Sequence, residues 1–208
     1  MSYTVSVRDK GASQPILSYL FETFDLPLSE IDSVFGFRRY IPLYGGRIFE
    51  RPQLSDQDIS DLHLNGIGYR MPLTNHYVTI DDYEKSRFFL DKFYHPLNSV
   101  ICVNDDLARW VRRDYPKFKI EASVIKNLNT LDKVKKALEL YDSVVPPINM
   151  NDDKDFLESL PKDSIRLFVN AFCAYKCPAK ICYPSISKIT KFSIGIAVPQ
   201  KLKFRKAH

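Results

Sequence analysis

The sequence contains few of the residues that make a chain flexible or keep it in a membrane. Only 7 of its 208 residues are glycine, so long flexible linkers are not expected. No apolar run approaches the roughly 20 residues that a helix needs to cross a bilayer. The residues after Met1 alternate like a strand and lack the apolar stretch of a signal peptide. We therefore expect a cytoplasmic protein that does not interact with membranes.

A strong excess of one charge is also absent. The chain has 30 lysines and arginines against 25 acidic residues, a net charge of +5. No recognition module or aromatic–basic strand pattern accompanies the basic residues, so nucleic-acid binding is not the favoured interpretation. A small anionic substrate is an equally good use for a few arginines. The hydrophobic fraction of 45% is typical of a globular protein.

The chain does contain a regular alternation of short apolar runs and helical patterns. Strands are predicted at 3–7, 67–73, 99–103, 118–124, 143–145 and 165–169, with 192–198 as a candidate seventh. Helices are predicted between them, including a short one within 29–40. The predicted N-caps are Ser13, Ser55, Thr79, Asn104 and Thr130, and Gly66 is predicted to end the helix that Ser55 begins.

Strands separated by helices predict right-handed crossovers and a mostly parallel sheet. We expect a single α/β domain over 1–208, with an irregular N-terminal βα unit (1–53), regular βα repeats (54–185) and a basic tail (186–208). Too few strands are predicted for a closed barrel. An incomplete or open TIM-like (β/α) barrel is favoured over a doubly wound sheet, because no glycine-rich phosphate turn follows the first strand.

Ligands of parallel α/β folds bind beyond the carboxyl ends of the strands, so the residues found there are the predicted substrate-binding residues. They are Arg8, Asn75, Asn104, Ser123, Lys126, Asn149 and Asn170. Amides suit a polar or anionic ligand, although asparagine also favours loops and caps, and capping is the favoured role of Asn104. The Tyr44-Gly-Gly-Arg47 turn can direct backbone amides and a guanidinium at an anion, but an ordinary loop is the favoured interpretation.

Two residue types in this region carry reactive chemistry. His76 follows a predicted strand and can act as a general acid or base, or serve as a hydrogen-bonded loop histidine. Cys173, Cys177 and Cys182 lie within ten residues of one another, which lets three thiols reach one zinc ion or iron–sulfur cluster. Cys173 is also a candidate catalytic thiol. The alternative is that the three are free thiols in a packed loop, whereas Cys102 is predicted to be core.

Three segments resemble the collagenase-like peptidases. They are 64–75 (Leu-Asn-Gly-Ile-Gly-Tyr-Arg-Met-Pro-Leu-Thr-Asn), 99–104 (Ser-Val-Ile-Cys-Val-Asn) and 169–173 (Val-Asn-Ala-Phe-Cys) with Cys177. The resemblance implies a TIM-like barrel, and several members of the family use a cysteine-bound iron–sulfur cluster in oxygen-independent hydroxylation. The family's cluster has four cysteines, so a fourth ligand here would come from Cys102, a non-cysteine side chain or another chain.

Two functions from different classes follow from these patterns. The first is an enzyme, or a protein derived from one, that acts on a small polar or anionic substrate with a metal, a cluster or a reactive thiol at the cysteines. The second is a non-catalytic binding or assembly subunit, a homo-oligomer or the partner of another chain, because an open barrel leaves surface for a partner to cover.

Overall fold

A computed structural model describes residues 2–169 and 181–192 of the chain. Strands and helices alternate along it. The strands are β1 (Tyr3–Ser6), β2 (Ile31–Phe35), β3 (Gly68–Leu73), β4 (Ser99–Cys102), β5 (Lys119–Ala122) and β6 (Ser143–Val144). The helices are α1 (Ile16–Thr23), α2 (Asp56–Leu64), α3 (Ile80–Lys92), α4 (Asp105–Asp114), α5 (Leu131–Leu138), α6 (Lys154–Ser159) and α7 (Cys182–Phe192). Within these residues, no helix is both long enough and apolar enough to cross a membrane.

The six strands form one parallel sheet in the order of the chain, from β1 to β6. A single parallel bridge joins Val144 to Ile165 beyond β6. A doubly wound sheet would reverse its strand order at a switch point, and this order does not reverse. The sheet is therefore an open half-barrel, and the prediction of an open TIM-like α/β fold is confirmed.

The two faces of the sheet differ in chemistry. One face packs against the helices and is apolar, with side chains such as Val34, Tyr69, Met71, Val100 and Ile120 buried there. The inner face carries a group of charged side chains from β2, β3 and β5. Arg70 of β3 donates to Glu121 of β5 (2.7 Å) and lies 3.5 Å from Asp32 of β2. Arg166 contacts the same two carboxylates, at 3.1 Å from Asp32 and 3.4 Å from Glu121.

Two of the predicted elements were wrong. Residues 29–40 do not form a helix, because Ile31–Phe35 is the strand β2, which pairs with β1 on one side and β3 on the other. The predicted strand at 165–169 is limited to the Ile165 bridge and one hydrogen bond from Arg166 N to Val144 O. The candidate seventh strand lies outside the described residues, apart from Phe192, which ends α7.

Most predicted helix ends are confirmed by their hydrogen bonds. Ser55 and Thr79 each form a capping box, Asn104 and Thr130 each accept a hydrogen bond from the helix backbone, and Gly66 adopts a positive φ of 72°. The cap at Ser13 was wrong, because α1 begins at Ile16. Its first N–H donates instead to Asp58 Oδ1 of α2, at 3.0 Å, so a carboxylate distant in sequence satisfies this helix end.

The long connection between β2 and α2, residues 36–55, is held against the carboxyl end of β3. Asn75 N donates to Leu43 O (3.0 Å), and the Thr74 hydroxyl donates to Gly45 O (2.8 Å). Gly45 lies so close to β3 that a Cβ added there would be 2.5 Å from Thr74 O and 2.6 Å from Asn75 Cα. Both atoms belong to the backbone, so they cannot move aside as a side-chain end can.

This close approach predicts that Gly45→Ala destabilises the protein. The added methyl group must push the 36–55 connection away from β3, and overpacking of this kind costs about 1–3 kcal/mol. The measurement is the free energy of unfolding in urea. Gly11→Ala is the matched control, because a Cβ there meets nothing closer than 3.7 Å and should change the free energy by less than about 0.5 kcal/mol. Equal stability of the two variants would contradict the close packing.

Candidate functional site

A charged cavity lies at the carboxyl ends of β1 and β2. Its volume is about 220 Å³, and its walls come from the residues that follow β1 and from the 36–55 connection. The charged side chains that line it are Arg8, Asp9, Arg47, Glu50 and Arg51. In open parallel sheets this end of the strands is where ligands bind.

Asp58 fixes both walls of this cavity. Its carboxylate lies 3.1 Å from Lys10 Nζ and accepts hydrogen bonds from Ile16 N (3.0 Å) and Ser55 N (2.7 Å). Lys10 and Asp58 are both buried, and pairing offsets the cost of removing their charges from water. The residues after β1 are thereby tied to the start of α2, where the 36–55 connection ends.

Arg47 is the most constrained cation of the cavity. Its Nη2 donates to Gln53 Oε1 (2.9 Å), and its guanidinium lies 4.4 Å from the centre of the Phe37 ring. Gln53 is buried and also accepts a hydrogen bond from Phe37 N (2.7 Å), so it holds Arg47 in place. Burial, followed by repulsion from Arg8, lowers the pKa of Arg47 to about 10. A bound anion would stabilise the charged guanidinium and so oppose both effects on its pKa.

A second group of polar residues lies at the ends of β3 and β4, where α7 packs. His76 Nδ1 is 3.2 Å from the Ser187 hydroxyl of α7, which also accepts a hydrogen bond from His76 N (3.4 Å). Asn104 donates to His76 O (3.2 Å) while its Oδ1 caps α4. Ser187 is fully buried. In this arrangement the hydroxyl joins α7 to the sheet and is not open to a substrate.

Several of the predicted substrate-binding residues make structural hydrogen bonds. Asn75 is buried, donates to Pro42 O (2.9 Å) and accepts from Tyr77 N (2.9 Å). Ser123 caps a 3₁₀ turn, and Lys126 Nζ contacts Val103 O (2.9 Å) and Asp105 Oδ1 (2.7 Å). The contact of Asn149 is a weak one, with the sulfur of Met150 at 3.8 Å. Of the members of this predicted set that the structure describes, the cavity contains Arg8 alone.

The other cavity residues were harder to find from the sequence. The Arg47 guanidinium had a signal in the glycine pair before it, for which an ordinary loop was favoured. Glu50, Arg51 and Gln53 lie in an irregular segment that has neither strand nor helix periodicity. Their convergence depends on the fold of the 36–55 connection, for which no short motif exists.

The described residues contain only one member of the predicted cysteine cluster. Asn170, Cys173 and Cys177 lie outside them, whereas Cys182 is the exposed first residue of α7. In the described part of the chain, no three His, Cys, Asp or Glu side chains are grouped to hold a metal ion. Cys102 is core, as predicted, and burial raises the pKa of its thiol far above the usual range.

Comparisons with known proteins give a similarity of fold. No family model matches the chain, and no curated protein matches its sequence. The solved structure of a U32 peptidase matches 98% of this chain and 82% of its own, with a TM-score of 0.67 and 13% identity. U32 peptidases are the collagenase-like family. The match therefore supports that resemblance at the level of the half-barrel, and at this identity it shows the fold alone.

The environment of His76 predicts a pH effect on stability. Burial and then repulsion by Lys126 lower the pKa of His76 below its ordinary value of 6.5. As the pH falls through 6.5, the unfolded chain takes up this proton before the folded one, so the folded state loses stability. We expect the free energy of unfolding to decrease between about pH 7.5 and pH 5.5, and to decrease less in His76→Gln.

The same titration can be observed directly. In an NMR titration of the folded protein, the imidazole resonance of His76 should have its midpoint below 6.5. A midpoint at or above that value, or an identical pH dependence of stability in His76→Gln, would show that the burial of this ring has no energetic effect.

Proposed function

We propose that this protein is a TIM-like enzyme, or derives from one, and that it binds the anionic group of a small polar substrate at Arg8, Arg47 and Arg51. One observation carries the proposal. The three guanidinium groups line one cavity at the carboxyl ends of β1 and β2. Guanidinium groups bind carboxylates and phosphates through paired, charge-assisted hydrogen bonds.

The electrostatics of Arg47 support this use. Its guanidinium is partly buried, has a like-charged neighbour in Arg8, and is oriented in advance by Gln53 and Phe37. A site built in this way before the ligand arrives loses little conformational entropy on binding. The fold of a U32 peptidase adds an enzyme-like scaffold, although substrate and reaction depend on the site and not on the fold.

The anion site predicts a specific loss in Arg47→Gln. We expect the affinity for succinate or inorganic phosphate to fall by roughly tenfold, because a hydrogen bond to a charged group contributes about 1.5–3 kcal/mol. Isothermal titration or NMR chemical-shift titration measures this, and binding should also weaken as salt is added.

Arg109→Gln is the matched control. Arg109 is exposed on α4, where it pairs with Asp106 at 2.9 Å. The substitution Arg109→Gln removes one positive charge, as Arg47→Gln does, but it lies outside the cavity. If both variants bind these anions equally well, or lose affinity equally, the cavity is not the anion site.

A metal or iron–sulfur centre at Cys173, Cys177 and Cys182 belongs to the same proposal. Three thiols at this spacing suit such a centre, and Cys182 is exposed at the start of α7. Cys182 is the single member of this group among the described residues, so we assign the centre no part in substrate binding.

We expect protein purified without oxygen to carry iron or zinc in nearly stoichiometric amount. Metal analysis of Cys182→Ser should show less bound metal than in the wild type. Wild-type protein that contains no metal would contradict the proposed centre.

The alternative, a non-catalytic binding or assembly subunit, rests on the edges of the sheet. Among the described residues, β1 pairs on one side only, and the outer side of β6 carries only the Ile165 bridge. Open strand edges are places where another chain can add. If the protein is an assembly subunit, light scattering should give the mass of an oligomer. The wild-type protein should then bind simple anions no more tightly than Arg47→Gln does.

A further inference from the structure

The cavity contains charges of both signs. Asp9 and Glu50 line it together with Arg8, Arg47 and Arg51. Three guanidinium groups and two carboxylates surround a space of about 220 Å³. A site selected only for anions has no use for two carboxylates, because they oppose the ligand's charge.

These five side chains do not neutralise one another. Within the described parts of the chain, none of the five has an oppositely charged group within 4.0 Å. Lys10, the next residue along from Asp9, is by contrast paired with Asp58 at 3.1 Å. The opposite charges of the cavity are therefore not paired with one another, although Gln53 and Phe37 hold Arg47 in place.

The charges still act on each other over this distance. Asp9 and Glu50 raise the pKa of Arg47 and so oppose part of the effect of burial and of Arg8. Asp9 and Glu50 therefore line the same cavity as Arg47 without forming an ion pair with it. Charges of both signs on one cavity suit a ligand with one negative and one positive group.

Resting on the proposed anion site, we infer that the ligand is a zwitterion of amino-acid size. Its carboxylate binds Arg47 and Arg8, and its ammonium group binds Asp9 and Glu50. Pockets for drug-sized ligands measure about 300–1,000 Å³. The volume here, about 220 Å³, suits a smaller molecule whose two charges are a few atoms apart, as in a free α-amino acid.

The first experiment compares matched ligands. NMR chemical-shift titration of the full chain with each of the twenty common L-amino acids identifies those that bind. The strongest binder is then compared with the same molecule lacking its amino group and with the same molecule lacking its carboxylate. We expect the amino acid to bind roughly tenfold more tightly than either single-charge analogue.

The second experiment uses variants of the two carboxylates. Asp9→Asn and Glu50→Gln should remove the preference for the amino acid over its deaminated analogue, while affinity for succinate stays equal or rises. Asp106→Asn is the control, since this exposed carboxylate pairs with Arg109 on α4. Heat denaturation shows whether each variant still folds. We expect that both do, because the side chains of Asp9 and Glu50 are exposed.

The outcomes separate this inference from the anion site. If succinate binds in an Arg47-dependent way but no amino acid exceeds its deaminated analogue, the zwitterion is wrong and the anion site stands. A preference that survives in both Asp9→Asn and Glu50→Gln also overturns the zwitterion. If neither succinate, phosphate nor any amino acid binds, both proposals fail.

Discussion

The alignment of the strands depends on one buried guanidinium. Arg70 is 4% exposed, and its two bonding partners come from β2 and β5, on either side of its own strand. An unpaired charge at this depth costs several kcal/mol, so Arg70 is tolerated only where Glu121 and Asp32 meet it. A slip of one residue in β3 would turn the guanidinium onto the apolar face. The pairing therefore selects one register, which in turn brings the carboxyl ends of the strands together.

The cavity inherits its geometry from that register through Asp58 and Gly45. The backbone of Thr74 and Asn75, directly after β3, contacts the 36–55 connection, and only a residue without a side chain can approach it so closely. The Asp58 carboxylate then bonds both to Ser55, at the far end of this connection, and to Lys10, after β1. Arg8 and Arg47, from separate parts of the chain, line one cavity, and the contacts of Asp58 and of Gly45 hold the backbone beside each of them.

What the sequence could predict was local. Short patterns identify the caps Ser55, Thr79, Asn104 and Thr130, because each bonds to a residue three positions away. β2 was missed because Asp32 and Ser33 are consecutive polar residues of the inner face. They interrupt the apolar pattern by which a strand is recognised. The true partner of the α1 terminus, Asp58, is 42 residues away from Ile16, a distance that no cap pattern spans.

Polar side chains at the strand ends can make their hydrogen bonds within the protein and not with a ligand. Asn75 and Lys126 resemble ligand-binding residues in sequence, yet each makes its hydrogen bonds within the protein. A side chain committed in this way gains little from a ligand, because binding would only exchange one bond for another. Arg47 differs, since it is partly desolvated beside Arg8, and its acceptor among the described residues is the neutral amide of Gln53. In the site that we propose, a negative charge would lower the free energy of this guanidinium, and the binding residues would come from the 36–55 connection and from the residues after β1.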